Sequence, residues 1–369
     1  MPQHSNRAQL LDGALRCLER LPLERITAQA VPYRWSPAWA ENVAAELRRE
    51  PADVVVADFI LLGALAAAEA AHIPAAAVVH NIYPFPAPGL PPWGYGFLPA
   101  RGPLGRLRDG LANAAAMRIY RRDGLSPHNR ARQQLGLPPL RSPLEQYERA
   151  ERVLILASAA FDFPACRLPR NVRHVGTPLD DTGAAEWDDP WLAADDRPLV
   201  LVSLSTLPQG QTEVMRRILA ALDGMPVRAL VTLGPTLAGT AFDAPPNARP
   251  EAFVPHGAVL PRAAALVTQC GLSTTVKALA HGVPMVCIPL IADQPENAAR
   301  VVARGAGVRL DRGAAPEEIR GAIERVVDEP RYREGARCLA AVLTSEDGAE
   351  TAAAEIEGLV RRETPGMIG

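Results

Sequence analysis

The chain has 369 residues, 48% of them apolar and 22% charged, with a formal net charge of -2. That length exceeds one ordinary hydrophobic core and fits two domains. A balance so near neutrality gives no electrostatic reason to expect nucleic acid or an anionic membrane as a partner.

Cys17, Cys166, Cys270, Cys287 and Cys338 are scattered and form no CxxC or Cys/His cluster, so no disulfide framework and no metal site is expected. The N-terminus lacks the basic-then-apolar pattern of a signal peptide. The apolar run at 59–71 is broken by Glu69 and is too short to span a bilayer. The expectation is a cytoplasmic protein with no membrane span.

In chain order, 7–20 predicts a helix, Ile26–Val31 a short strand and 38–49 a helix ending before Pro51. Residues 53–59 (DVVVADF) form an apolar run closed by Asp58, the pattern of a buried parallel strand with a polar residue at its exit. A crossover helix at 61–72 and a strand at 73–80 complete a right-handed βαβ unit. The loop at 81–103 carries five aromatics among its prolines and glycines; it is either a binding wall or a loop packed on its own rings. Helices follow at 104–120 and 127–135, then strands at 151–158 and 172–175. Residues 177–196 are acidic and rich in turn formers, as suits a linker. A second alternation has strands at 198–205, 227–234, 264–269, 284–290 and 307–310, with helices at 211–223, 273–281 and 295–304. Pro316 opens a further helix, and 347–361 predicts the last. The fold class is therefore α/β, with two doubly wound parallel sheets of Rossmann type.

The chemistry concentrates in 253–310. After the strand ending at Gln269, Gly271 makes a turn and Ser273 and Thr274 open a helix. Hydroxyls there either cap the helix or bind an anion, because opening amides carry partial positive charge. At the next junction Asp293 and Gln294 sit at the carboxyl end of a parallel strand, where ligands bind in open α/β sheets. An acid and an amide there suit a ligand rich in hydroxyls.

These residues resemble a known family. FVPH at 253–256, TQCGLST at 268–274, ALAHGVP at 278–284 and PLIADQPENA at 289–298 are similar to the donor-binding region of inverting small-molecule glycosyltransferases of the GT-B fold, the bacterial antibiotic and macrolide enzymes among them. The resemblance implies transfer of a hexose or deoxysugar from a UDP- or TDP-sugar to a hydroxyl of a small hydrophobic acceptor, with no cofactor and no obligatory metal. It implies that Phe253 stacks on the base beside the Val254 backbone. Thr206, Gln269, Gly271, Ser273 and Thr274 would lie at the diphosphate, with Asp293 and Gln294 at the sugar hydroxyls. Asp58 resembles the acid that orients the catalytic histidine; its alternative is a helix cap. His80, Tyr83, Phe85 and Trp93 would wall the acceptor site, and His80 is either a strand-end histidine or a substitute base.

Three departures stand out. Gln269 replaces a family histidine that contacts phosphate, Lys277 replaces a glutamate that binds ribose, and no strand bearing a catalytic histidine precedes the first helix. The implied layout is an acceptor-binding domain at 1–176 incomplete at its start, a linker at 177–196, a donor domain at 197–345 and a terminal helix and tail at 346–369. An impaired or auxiliary homologue that binds nucleotide sugar or a partner transferase is the alternative. Homodimerisation stays open.

Overall fold

The computed structural model describes residues 31–179, 191 and 195–361. His4, the helix expected at 7–20, nearly all of the strand expected at 26–31 and most of the linker lie outside them. The chain divides into two compact units. One holds the described residues up to Tyr95, Pro99–Pro178 and those from Glu346 on; the other holds Gly96–Leu98 and the described part of Leu179–Ser345.

The first unit is built on a parallel sheet in the order β1 (Val55–Asp58), β2 (Ala75–Val79), β3 (Arg152–Ile155), β4 (Val172–His174). The β1–β2 register sets Asp58 opposite Val78, so Asp58 and His80 leave the sheet at the same carboxyl edge. Among the described residues β1 is an edge, and Val56 on it is half exposed. The crossover helix Leu62–Ala71 is alanine-rich and buried on nearly every side through Ala68, as befits a helix apolar all round. Gly63 lets it approach the helix Ser36–Arg49: a Cβ there would stand 2.1 Å from the Ser36 carbonyl oxygen.

The helices expected at 104–120 and 127–135 are Pro103–Ile119 and Ser126–Gln134, and the expected break is a π-helical segment, Tyr120–Leu125. Pro127 falls in the first turn of the second helix, where its missing N–H is no loss, so it does not interrupt the run. No helix or strand forms between 81 and 102. The last helix, Gly348–Arg361, packs on the first sheet. Its Leu359 joins Ala76, Leu154 and Val175 in one apolar cluster, and Glu355 takes an ion pair from Arg152 at 2.5 Å.

The second unit holds six parallel strands in the order β10 (Gly307–Arg309), β9 (Met285–Cys287), β8 (Ala263–Thr268), β5 (Leu199–Ser203), β6 (Arg228–Thr232), β7 (Ala248–Glu251). β5 and β6 are buried along their whole length, as both faces of a doubly wound sheet require. β7 escapes the sequence pattern because Pro250 lies inside it, which only an edge strand tolerates. The helix Pro330–Leu343 is a second element that the sequence does not announce. The chain runs from β5 outward to β7, then returns to the other side of β5 with β8. That reversal opens a crevice beyond the carboxyl ends of β5 and β8.

Candidate functional site

A cavity of about 250 Å³ lies at that crevice. Its lining includes Thr206, Phe253, Val254, Gln269 and Thr274, brought together from the exits of β5, β7 and β8. His256 of the FVPH segment also lines it, as do Ser205, Gly234 and Pro235, which were not singled out by sequence. Gly234 has φ +63°, a turn that a side chain would strain. Phe253 is 77% exposed although it belongs to the lining, while Val254 behind it is buried.

The helix Leu272–Ala280 reaches this cavity through Thr274 in its first turn, while Gly271 and Ser273 are not in the lining. Its N-cap is Gly271, which has no side chain, and no side-chain hydrogen bond caps the helix; the first intrahelical bond is from the Thr275 N–H to the Gly271 carbonyl. Capping by Ser273 or Thr274, one of the two readings left open by sequence, is therefore not what the hydroxyls do. Uncapped opening amides with two hydroxyls beside them suit an anion. Gln269 is buried, and its side-chain amide lies 3.2 Å from the Ser203 carbonyl and 3.3 Å from the Ser205 N–H. With its nitrogen toward the former it ties the end of β8 to the end of β5.

The second junction is held by buried amides. Gln294 accepts from the Leu290 and Ile291 N–H groups at 2.8 and 2.9 Å and donates to Gln209 Oε1 at 2.9 Å. Its oxygen is thus occupied by the turn, so the sequence reading of Gln294 as a partner for sugar hydroxyls shrinks to one remaining N–H. Gln211 continues the chain, accepting from the Gln209 N–H and donating to the Ser205 and Leu207 carbonyls. Asn297 is fully buried and donates to the Cys270 carbonyl at 2.9 Å and to Asp293 Oδ2 at 2.7 Å. It clamps both junctions, where Cys270 and Ala292 hold φ of +67° and +54°. Such left-handed positions in residues other than glycine store strain and concentrate at functional sites. Asp293 is half-buried and does not line the cavity.

The first unit carries a separate arrangement. His80 Nδ1 lies 2.9 Å from Asp58 Oδ2, and Asp58 Oδ1 accepts from the Ile60 N–H at 3.0 Å. The helix Leu62–Ala71 has no side-chain cap, so Asp58 is not the helix cap that sequence allowed. Burial pushes the Asp58 carboxyl up, but the hydrogen bonds from His80 and Ile60 and the charge of His80 outweigh it and hold the group below the usual carboxylate range. The His80 ring meets Phe59 at 5.4 Å between centroids, and Phe59 meets Phe85 at 6.1 Å. Phe85 packs on Tyr83 and Tyr147.

Tyr83, Phe85 and Tyr147 line a cavity of about 890 Å³ that Met117, Leu144, Leu168 and Val172 also border. Glu148, Arg167 and Arg170 supply charged groups to its lining. Of the four residues expected to wall an acceptor site, Tyr83 and Phe85 are in this lining, and His80 is not in it but packs on Phe59, which meets Phe85. Trp93 is half-buried elsewhere in the loop, and Gly96 of the same loop is bound to Glu296 and Arg309 of the second unit. Burial and the neighbouring Glu148 charge push the Tyr83 phenol up to about 12, so it stays protonated.

Residues 134–346, more than half of the chain, match the sequence profile of the UDP-glucoronosyl and UDP-glucosyl transferases. The chain belongs to that family. Among its relatives is the 4'-demethylrebeccamycin synthase of Lentzea aerocolonigenes, 34% identical over 318 residues that cover 84% of this chain and 74% of the relative. The demethyllactenocin mycarosyltransferase of Streptomyces fradiae is 33% identical over 204 residues, 52% of this chain. The chain spans only 44% of that second relative. A solved calicheamicin glycosyltransferase superposes with a TM-score of 0.67 at 23% identity, covering 99% of this chain and 83% of that one. The fold is therefore GT-B, with which the two parallel sheets agree, and family membership makes this chain a glycosyltransferase. No helix among the described residues is long and apolar enough to cross a membrane.

Proposed function

We propose that the chain moves a hexose or deoxysugar from a uridine or thymidine diphosphate donor to a hydroxyl of a small hydrophobic acceptor, inverting the anomeric carbon. The names of two relatives, a demethylrebeccamycin synthase and a mycarosyltransferase, support a natural-product acceptor. The observation that carries the reading is the uncapped helix that starts at Gly271, whose first turn brings Thr274 to a cavity also lined by Thr206 and the exposed Phe253.

In this reading Phe253 stacks on the base, with the Val254 backbone beside it. The opening amides and the Gly271, Ser273 and Thr274 turn take the diphosphate, with Thr206 across from them. These groups stabilise the charge that grows on the departing diphosphate in the transition state, which is where stabilisation raises the rate. Among the described residues no carboxylate lines the cavity, and the helix end faces the leaving group. Asp293 binds sugar hydroxyls, and Gln294 and Gln269 hold the two loops in shape. The large cavity bordered by Tyr83 and Phe85 is of the size and apolarity that suit a small acceptor.

Titration calorimetry tests the assignment. Thr274→Val weakens uridine or thymidine diphosphate by at least about tenfold, the loss of one charge-assisted hydrogen bond. Asp293→Ala leaves the free diphosphate unaffected and weakens the nucleotide sugar. Unchanged affinities in both variants would remove the cavity from the donor site.

A further inference from the structure

We infer that the acceptor carries a basic amine, held as its ammonium cation by Glu148 against the aromatic wall of the large cavity. The inference rests on the reading of that cavity as the acceptor site. Tyr83, Phe85 and Tyr147 form one packed wall there: Phe85 meets Tyr83 at 5.5 Å and Tyr147 at 4.5 Å between ring centroids. Tyr147 belongs to the short helix Glu145–Arg149, which brings Glu145 and Glu148 into the same lining on neighbouring turns. Aromatic rings beside carboxylates are the combination that selects an organic cation, because ring faces and carboxylates both attract positive charge.

The two carboxylates are not equivalent. Glu145 is engaged by Arg141, whose backbone N–H donates to Oε2 at 3.3 Å and whose Nε lies 3.8 Å from Oε1. Glu148 has no ion pair among the described residues. Its charge still reaches the aromatic wall: burial, and then that charge, push the Tyr83 phenol up to about 12. A neutral acceptor that filled the cavity would strip water from Glu148 and return nothing. An ammonium group offsets that loss with a charge-assisted hydrogen bond.

Arg167 and Arg170 border the cavity from the segment before β4, and neither is paired with Glu148 among the described residues. Their charge would suit an acid rather than an amine. An arginine, however, can line a cavity with its long apolar stem while its head stays in water, and a glutamate stem is too short for that. The carboxylate is thus the group that an entering ligand desolvates.

Three phenols with the same reacting hydroxyl test the inference. At neutral pH tyramine ends in an ammonium group, 4-propylphenol in a methyl group of similar size and 3-(4-hydroxyphenyl)propanoate in a carboxylate. Titration calorimetry on the full chain is expected to find tyramine bound about five- to thirtyfold more tightly than 4-propylphenol, with the propanoate weakest. In Glu148→Gln the preference falls to about twofold or less, since the amide keeps the shape and drops the charge. Glu148→Arg places the propanoate above tyramine, and added salt shrinks the wild-type preference.

Equal wild-type affinities for tyramine and 4-propylphenol, tighter binding of the propanoate, or a preference that survives Glu148→Gln would overturn the inference. Neutral 4-propylphenol separates that failure from failure of the acceptor reading, because it needs the cavity and not the charge. Its binding, and its glucosylation from UDP-glucose or TDP-glucose, without any preference for tyramine would sink the amine alone. A wild-type protein that binds none of the three phenols would overturn the acceptor reading and the amine with it.

Discussion

Arg132→Leu unfolds far more readily than wild type, by about 3–5 kcal/mol, because it strands a paired charge in the interior. The Arg132 side chain is fully buried and makes a two-pronged bond to Glu69 at 2.6 and 3.0 Å. It also donates to Gln146 Oε1 and to the Pro138 carbonyl. Gln146 returns a bond to Glu69 and accepts from His128, whose other nitrogen meets Ser36. One ion pair thus ties four helices, and one of them is the crossover helix that follows Asp58. Replacing both Arg132 and Glu69 with leucine is expected to be milder than the single change, since no uncompensated charge remains. Urea denaturation of the single and double variants checks this.

The pH dependence of the same network has a defined sign. Burial pushes Glu69 up, but the hydrogen bonds from Arg132 and Gln146 and the Arg132 and Arg149 charges outweigh it and hold it below the usual range. A carboxyl depressed in the folded state stabilises above its unfolded pKa and loses that contribution as pH falls through the folded one. His128, lowered from 6.5 to about 4 by burial, acts in the same direction. Wild-type stability therefore declines between about pH 6.5 and 4, and the gap to Arg132→Leu narrows below that range. A gap that widened in acid would contradict the network.

The second large effect falls on Asn297. Asn297→Asp keeps the shape of the side chain and removes the two donated bonds, setting a carboxylate against the Cys270 carbonyl and Asp293. Each lost bond to a buried acceptor is worth about 1–3 kcal/mol, and like charges add to the loss. Cys270 and Ala292 hold left-handed backbone on either side of the clamp, so its removal also lets both turns relax. The expected result is a fall in stability of about 2–4 kcal/mol together with weaker nucleotide binding. Both effects diminish in acid, where a protonated carboxyl again donates. Wild-type stability at neutral pH would show that the two turns stand without the clamp.

Much of this was legible in the sequence because the physical signals were local. Continuous apolar runs announced every strand of the second sheet but β7, which Pro250 disguised. The helix start at Gly271 and the polar pair at Asp293 followed from turn residues at strand exits. What the sequence hid was pairing across space. Asp58 and His80 are 22 positions apart, and only the parallel register of β1 and β2 brings them to 2.9 Å. The motif flagged Gln294 and Asn297, yet not that both are buried, one holding a single turn and the other joining two. Gln209 and Gln211 carry no sequence signal at all, since a buried glutamine looks like a surface one until its partners are placed.

The claim on which the rest depends is that the helix start at 271–275 grips a diphosphate. Backbone amide hydrogen exchange, with and without uridine or thymidine diphosphate, tests it most directly. The account predicts slowed exchange at 271–275 and around 253–256, with little change at 55–80. Binding that left the 271–275 amides exchanging at their free rate would contradict it.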